Sequence, residues 1–352
     1  MSLENYLGNY TGCKKLFVIA LITFCTLYPA VQAYGQQAGQ SFAILIGGLG
    51  GEPQYTTRFN KLLLDTHKAL TEQFMFPPGN IKVFAESVPD LEQFVDDISS
   101  AENITAAFRE LESQVTGSDH AYVILFGHGS YDGKNAKLNI PRRDLSDEDF
   151  AEMLNRLDAG RIIFINTASS SFPFIQHISG ENRIVITATK SPTQRNITEF
   201  PEYLVEGFSE AAADLDKNGS ISVLEIFTYA ALKTERFYSD NNHLATEHAM
   251  LEDNGDGQAF RVEELMTAGE GALSGATYLK RRLVAFAALD SATGDTTMVR
   301  LLTEQEKLEL EISTLKNSKD QYSVEQYYLL LEELLVKLAR VNDEIEKLQN
   351  IH

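Results

Sequence analysis

Asp214, Asp216 and Asn218 alternate along the chain. Ser220, Ser222 and Glu225 complete a stretch, DLDKNGSISVLE, in which each of the even positions 214 to 222 carries a side-chain oxygen. Hard divalent cations such as calcium take about six to eight oxygen ligands, and this spacing can supply them. Asp214, Asp216 and Asn218 offer three side-chain donors, and Ser220 adds its main-chain carbonyl. Ser222 acts directly or through water, and Glu225 closes the shell with two carboxylate oxygens. Gly219 permits the sharp turn that wraps the chain around an ion, and Ile221 sits where a hydrophobe joins a paired loop.

The pattern matches the EF-hand loop in register. Helical spacing flanks it, with an entering helix expected over Phe200 to Ala213 and a leaving one over Val223 to Tyr238. A simple Asp/Asn/Gly turn between helices is the plainer alternative, but it does not require this many donors in register. Ca2+ is therefore the expected cofactor. At extracellular calcium levels even a weak site fills, so the loop reads as a permanent brace rather than a sensor. A second loop places Glu252, Asn254, Asp256, Gly257 and Glu263 at the corresponding positions. Glutamate is unusual at the first of these, so a degenerate partner site and an ordinary turn both stay open.

A different chemistry is suggested upstream. The apolar run His120 to Phe126 ends in Gly127-His128-Gly129-Ser130, and the next one ends in Asn166-Thr-Ala-Ser-Ser-Ser171. A histidine between glycines at the carboxyl end of a strand can act as a base, with neighbouring amides free to hold an oxyanion. Taken alone, the Gly-His-Gly turn is a weak signal. No Gly-x-Ser-x-Gly elbow accompanies the serines, and the only acidic candidates for a third group are Asp119 and Asp144. Gly47-Gly48-Leu-Gly50-Gly51 lacks the order of a phosphate loop, and His243 and His248 do not form a zinc motif.

These residues need a scaffold. Short apolar runs at Ser41–Gly47, Ile81–Ala85, His120–Phe126, Arg161–Asn166 and Arg183–Thr189 read as buried strands. Between them lie helical patterns at Tyr55–Phe74, about Thr105–Val115 and Asp147–Leu157. That alternation predicts an α/β fold, a mainly parallel sheet with helices on both faces. Four regions follow: 1–33 as an export signal, 34–200 as the α/β domain, 201–270 as the helical calcium region, and 271–352 as a linker and C-terminal helical hairpin. Gly269–Gly275 reads as the linker. Leu331, Leu334, Leu338, Val341, Ile345 and Leu348 step by three and four, as do Leu308, Ile312 and Leu315. Thr303–Glu306 and Ser323–Gln326 fit capping boxes, and such a hairpin suits self-packing or oligomerisation.

Together, HAYVILFGHGSYDG, RIIFINTASSSF and RIVITATKSPTQRNITEF resemble the caspase-type domain of the legumain-like cysteine peptidases, over about residues 41–200. The resemblance implies that His128 and Gly129 correspond to the catalytic His-Gly pair. The nucleophile-bearing run aligns with Asn166-Thr167-Ala168, which puts Ala168 where the cysteine belongs. Thr187-Ala188-Thr189 then matches the segment that shapes the substrate pocket. Alanine has no nucleophilic atom, so the expected function is a non-catalytic binding or scaffolding module, with a peptide or protein ligand in the His128/Ala168 cleft. The alternative is a hydrolase in which Ser169 or a neighbour attacks an acyl group, with His128 as base and the Gly129 amide at the oxyanion.

Composition supports parts of this reading. A formal net charge of −20 disfavours nucleic acid and anionic lipid as partners and suits divalent cations. Lys14 and Lys15 precede an apolar run, Leu16 to Tyr28, and then Val31-Gln32-Ala33, the layout of an export signal cleaved near Ala33. The periplasm, the cell surface or the medium is then the destination. Both cysteines, Cys13 and Cys25, lie inside that segment. A thiol titration of the denatured exported protein is therefore expected to read zero, and a stoichiometric thiol would place cleavage upstream of Cys25.

Overall fold

The computed structural model describes residues 39–349, apart from 89, 90, 92, 210, 219, 281–296, 298–299, 302–303, 306, 309–310, 313–314 and 316–321. The export segment expected over 1–33 falls outside these residues, as do Gly219, Thr303, Glu306 and most of the expected turn at 317–322.

Seven strands form the central sheet: β1 (Ser41–Gly47), β2 (Ile81–Ala85), β3 (Asp97–Ile98), β4 (His120–Phe126), β8 (Arg161–Asn166), β9 (Arg183–Thr187) and β11 (Met250–Glu252). Their order is β11-β9-β8-β4-β1-β2-β3. All neighbours pair in parallel except β11, which runs antiparallel along β9 at the edge. A small antiparallel sheet, β5 (Gly129–Tyr131), β6 (Ala136–Leu138) and β7 (Leu145–Ser146), follows β4. A two-stranded ribbon joins β10 (Ile221–Ser222) to β12 (Tyr278–Lys280).

Strand alternation explains the continuous apolar runs. Leu45, Ile124, Ile163 and Ile186 point to one face of the sheet, while Ile44, Val123, Phe164 and Val185 point to the other. Both faces are buried, so neither set can be polar. On the first face lie helices α1 (Pro53–Lys68), α5 (Phe200–Ser209) and α6 (Val223–Asp240), through Phe59, Leu63, Phe200, Leu204, Ile226 and Phe227. On the second lie α2 (Ala101–Gln114), α3 (Asp147–Leu154) and α4 (Phe174–Ile178), through Ile104, Phe108, Phe150, Leu154 and Phe174.

Most expected elements are present, with shifted ends. Helix α2 begins four residues earlier than Thr105 because the Ser100 side chain accepts a hydrogen bond from the Asn103 amide and caps it. Helix α1 runs through Lys68 and continues as a π-turn over Ala69–Gln73. Gly269–Gly275 is not a linker. It follows the short helix α7 (Leu265–Ala268) and contains α8 (Ala272–Gly275), and Glu270 and Ser274 within it are buried. Between Pro201 and Leu279 the chain thus packs on the same core as the sheet, through residues such as Phe208, Phe227, Leu251, Leu265 and Leu279. At the C-terminus, α9 (Val324–Gln349) starts with the expected capping box, in which Ser323 and Gln326 bond each other reciprocally. Ile345 of α9 packs with Leu301, and Gln305 donates to Asn342 at 2.9 Å, so α9 meets the described residues around Leu301 and Gln305. Among the described residues no helix is long and apolar enough to cross a membrane.

One buried carboxylate holds α5 in place. Glu247, 3% exposed, accepts from the Glu199 amide at 2.6 Å, the Phe200 amide at 3.2 Å and the Tyr238 hydroxyl at 2.8 Å. Burial pushes its carboxyl up to about 7, and the nearby Glu199 charge adds to the rise. Folding therefore favours the protonated form, and the contribution of this group to stability falls as pH rises from about 4.5 to about 7. Glu247→Gln is expected to remove that slope. Urea unfolding across this window should show the wild-type-minus-variant difference changing by up to about 3 kcal/mol.

Candidate functional site

Asp214 to Glu225 lies between α5 and α6. A single 3-10 turn, Ala211–Ala213, follows α5, and α6 begins at Val223. Both helices are seated in the core, so the ends of the loop are fixed by packing on the sheet. Ser222 caps α6. Its hydroxyl accepts from the Glu225 amide at 3.2 Å, while its own amide and hydroxyl both donate to Glu225 Oε2 at 2.8 Å. This reciprocal box turns the Glu225 side chain back over the loop. There Oε1 accepts from the Leu215 and Asp216 amides at 3.0 and 3.3 Å.

Short Asx-type bonds shape the rest. The Asn218 amide donates to Asp214 Oδ1 at 3.1 Å and to Asp216 Oδ1 at 3.0 Å, and its Nδ2 donates to Asp216 Oδ2. The Ser220 amide donates to Asn218 Oδ1 at 2.8 Å. Lys217 adopts the left-handed conformation, φ 59°, which lets the chain reverse within these few residues. Asp214, Asp216 and Glu225 thereby bring one oxygen each within 4.8 Å of one another. Burial pushes the Asp216 carboxyl up, and the Glu225 and Asp214 charges push it further. A divalent cation relieves both effects, since it neutralises the repulsion and replaces the lost solvation.

The donor set therefore fits a hard cation: three carboxylates, Asn218 beside them, and no sulfur or imidazole. A bound cation competes with the Leu215 and Asp216 amides for Glu225 Oε1. Of the residues expected to hold the ion, Asp214, Asp216 and Glu225 are brought together, and Asn218 hydrogen-bonds to two of them. The Ser222 hydroxyl takes part in the helix cap and serves to aim Glu225. Ile221 pairs with Lys280 on β12 and not with the second loop.

That second loop also differs from expectation. Leu251 and Phe260 exchange backbone hydrogen bonds at 2.9 Å, which makes the loop a return on the sheet edge. Glu263 points away and pairs with Arg261. Its place near Glu252 and Asp256 is taken by Glu270, from the stretch expected to be a linker. Sequence offered one signal for Glu270, a glutamate between two glycines, and turn chemistry alone explains that equally well.

The histidine and the serines lie at the carboxyl edge of the sheet. There the Gly48 amide donates to the Phe126 carbonyl and the Thr167 amide to the Leu125 carbonyl. His128 follows β4, half-buried. Its ring meets Tyr55 and Phe59 edge-on at 5.1 and 5.4 Å and hydrogen-bonds to the Gly50 backbone. Burial lowers its pKa, and the Arg58 charge lowers it further. Ser169, 3% exposed, does not engage this ring. Its hydroxyl accepts from the Gly129 amide and donates to the Gly129 carbonyl, each at 3.1 Å.

The neighbouring hydroxyls are equally committed. Ser170 bonds the Pro192 carbonyl, and Ser171 bonds Thr189. Ala168, 1% exposed, belongs to the core on the α2–α4 face, whereas Phe59 beneath His128 belongs to the opposite core. The expected His128/Ala168 cleft is thus not an open groove between these two side chains. Asp119 and Asp144 are corrections too. Asp119 sits at the amino end of β4 and accepts from Gln40 and Thr116, while Asp144 accepts from the Ile140 amide in a local turn.

Compared with known protein families and with curated protein sequences, the chain matches none. The site geometry and the residue chemistry therefore carry the functional reading.

Gly129 has a structural reason to be glycine, because a Cβ there would lie 2.1 Å from the Ser169 carbonyl oxygen. Gly129→Ala is expected to cost more than about 2 kcal/mol by forcing the two backbones apart. Ser169→Ala, which leaves the half-buried Gly129 amide without its side-chain acceptor, should cost about 1 kcal/mol. Equilibrium urea unfolding measures both, and calcium stoichiometry should be unchanged in either variant.

Proposed function

We propose that this chain is an exported calcium-binding protein. In this reading the Asp214–Glu225 loop is an EF-hand-type site that braces a degenerate legumain-like, caspase-type domain, and that domain serves as a binding or scaffolding module without peptidase activity. The observation that carries the calcium reading is the convergence of Asp214, Asp216 and Glu225 within 4.8 Å, between two helices anchored in the core. The ion would join the end of α5 to the start of α6, and both cover one face of the sheet. Calcium binding is thereby coupled to the stability of the whole unit.

The non-catalytic half of the proposal draws support from Ala168 at the position aligned with the nucleophile and from the closed hydrogen bonding of Ser169. A serine hydroxyl that both donates to and accepts from one backbone unit has no proton shared with an imidazole base. His128 is then left as a half-buried ring in an aromatic setting. It serves packing, or the capture of a protein partner's polar group, rather than proton transfer.

The test is calcium titration of the full chain after chelator stripping, combined with hydrolysis assays. Calcium at a hundredfold excess over Kd is expected to add roughly 2.7 kcal/mol of stability, read as a rise in Tm that chelator reverses. Glu225→Gln, which keeps the shape but loses the charge, should weaken binding at this loop at least about tenfold. A panel of peptide and ester substrates should show no turnover that His128→Ala abolishes. Turnover lost in that variant would overturn the non-catalytic reading, and a Tm indifferent to calcium would overturn the calcium reading.

A further inference from the structure

Glu252 ends β11 and is fully buried, and Glu270 is 6% exposed. Each leaves one buried carboxylate oxygen, Glu252 Oε2 and Glu270 Oε1, without a hydrogen-bond partner in the protein. Together with Asp256 at the surface they bring one oxygen apiece within 4.8 Å of one another. Two ionised carboxylates side by side in a buried site repel each other, and either a shared proton or a cation between them relieves that repulsion. The other oxygen of each accepts from a backbone amide, Gly255 to Glu252 Oε1 at 2.5 Å and Asp253 to Glu270 Oε2 at 2.7 Å, while Ser179 and the Gly257 amide also lie against Glu252 and the Asp253 carboxyl against Glu270. Arg261, later in the same loop, is paired with Glu263 and Glu264.

The surrounding backbone holds this arrangement firmly. Asp253 accepts from the Gly271 amide, the Ser274 amide and the Ser274 hydroxyl at 2.7–2.8 Å, and so caps α8. Glu270 is thereby clamped between Gly269 and Gly271, which have φ of 81° and 92°. Gly255, φ 84°, lies against Gly180, where a Cβ would come within 3.1 Å of the backbone. The two unpartnered oxygens are thus held by rigid turns from separate segments, where a flexible surface loop would let them swing out to water.

We propose that Glu252, Asp256 and Glu270 form a second calcium site, distinct from the Asp214–Glu225 loop and built on the edge of the sheet. All three ligands are hard carboxylate oxygens, which excludes a preference for soft metals. Oxygens about 2.4 Å from a calcium ion lie at most about 4.8 Å apart, and the three here fall within that limit. Magnesium keeps several waters and yields them reluctantly, which suits two buried, unsolvated oxygens poorly. The ion would fasten β11 to the Gly269–Gly275 segment and so secure the antiparallel edge strand.

Equilibrium dialysis with radioactive calcium, on the chelator-stripped full chain, tests the assignment. Wild type is expected to bind two ions. The isosteric double variant Glu252→Gln/Glu270→Gln should bind one, and Glu225→Gln should keep the one held by Glu252, Asp256 and Glu270. Asp256→Asn, an exposed change that leaves the core intact, should weaken that site at least about tenfold. If the Asp214–Glu225 loop binds nothing, wild type should bind one ion and the double variant none, which separates the two sites. A folded double variant, judged by circular dichroism, that binds calcium in the same number and affinity as wild type overturns the proposal. So does an Asp256→Asn protein with unchanged affinities, or a site filled by magnesium but not calcium.

Discussion

Burial of the parallel sheet on both faces is the constraint on which everything else rests. Strands β1, β4, β8 and β9 satisfy their backbone groups through one another and expose apolar side chains on either side. Both sides must then be covered, and the chain has to alternate strands and helices to do it. Helices α5 and α6 are part of that cover. The Asp214–Glu225 loop is the connection between them, so a demand of the core decides where the carboxylates hang and how far apart the loop ends sit.

Within that frame the atoms that fold the loop locally are also the ones that could hold an ion. Glu225 occupies the third position of α6 and completes its capping box with Ser222, as a helix start requires. The same reach turns its other oxygen toward Asp214 and Asp216. Helix capping therefore preorganises the carboxylate group against its own repulsion, and the order of the loop does not depend wholly on an ion. At the sheet edge a similar economy operates. Asp253 caps α8, and that cap fixes Glu270 opposite Glu252.

The histidine-bearing edge shows the opposite outcome, in which residue types suited to chemistry are absorbed by structure. Gly129 is required by the close approach of the Ser169 carbonyl, and the Ser169 hydroxyl closes two hydrogen bonds to that same glycine. The loops after β4 and β8 are thereby stitched together. His128 is packed on Tyr55 and Phe59 rather than aimed at a hydroxyl. Hydroxyls engaged by neighbouring backbone in this way contribute rigidity to these loops.

Sequence alone determined the architecture, because periodicity and burial are the same fact in different form. Unbroken runs such as HAYVILF and RIIFIN can be stable only where both faces are covered, and β4 and β8 fall on them residue for residue. The Asp214–Glu225 carboxylates were equally legible, since their ligand spacing is local and the flanking helices are amphipathic. Tertiary structure decided what depends on distant partners. Ser222, singled out by spacing as a ligand, is also the cap of α6, because Glu225 lies within one turn of it. Ser169, a nucleophile candidate by neighbourhood, is a tether because Gly129, forty residues upstream, allows two backbones to touch. Glu270 joins Glu252 and Asp256 because Asp253 draws Gly271 and Ser274 inward, a long-range bond with no periodic trace. Local hydrogen bonding leaves a signature in spacing, whereas contacts between segments far apart leave one only in three dimensions.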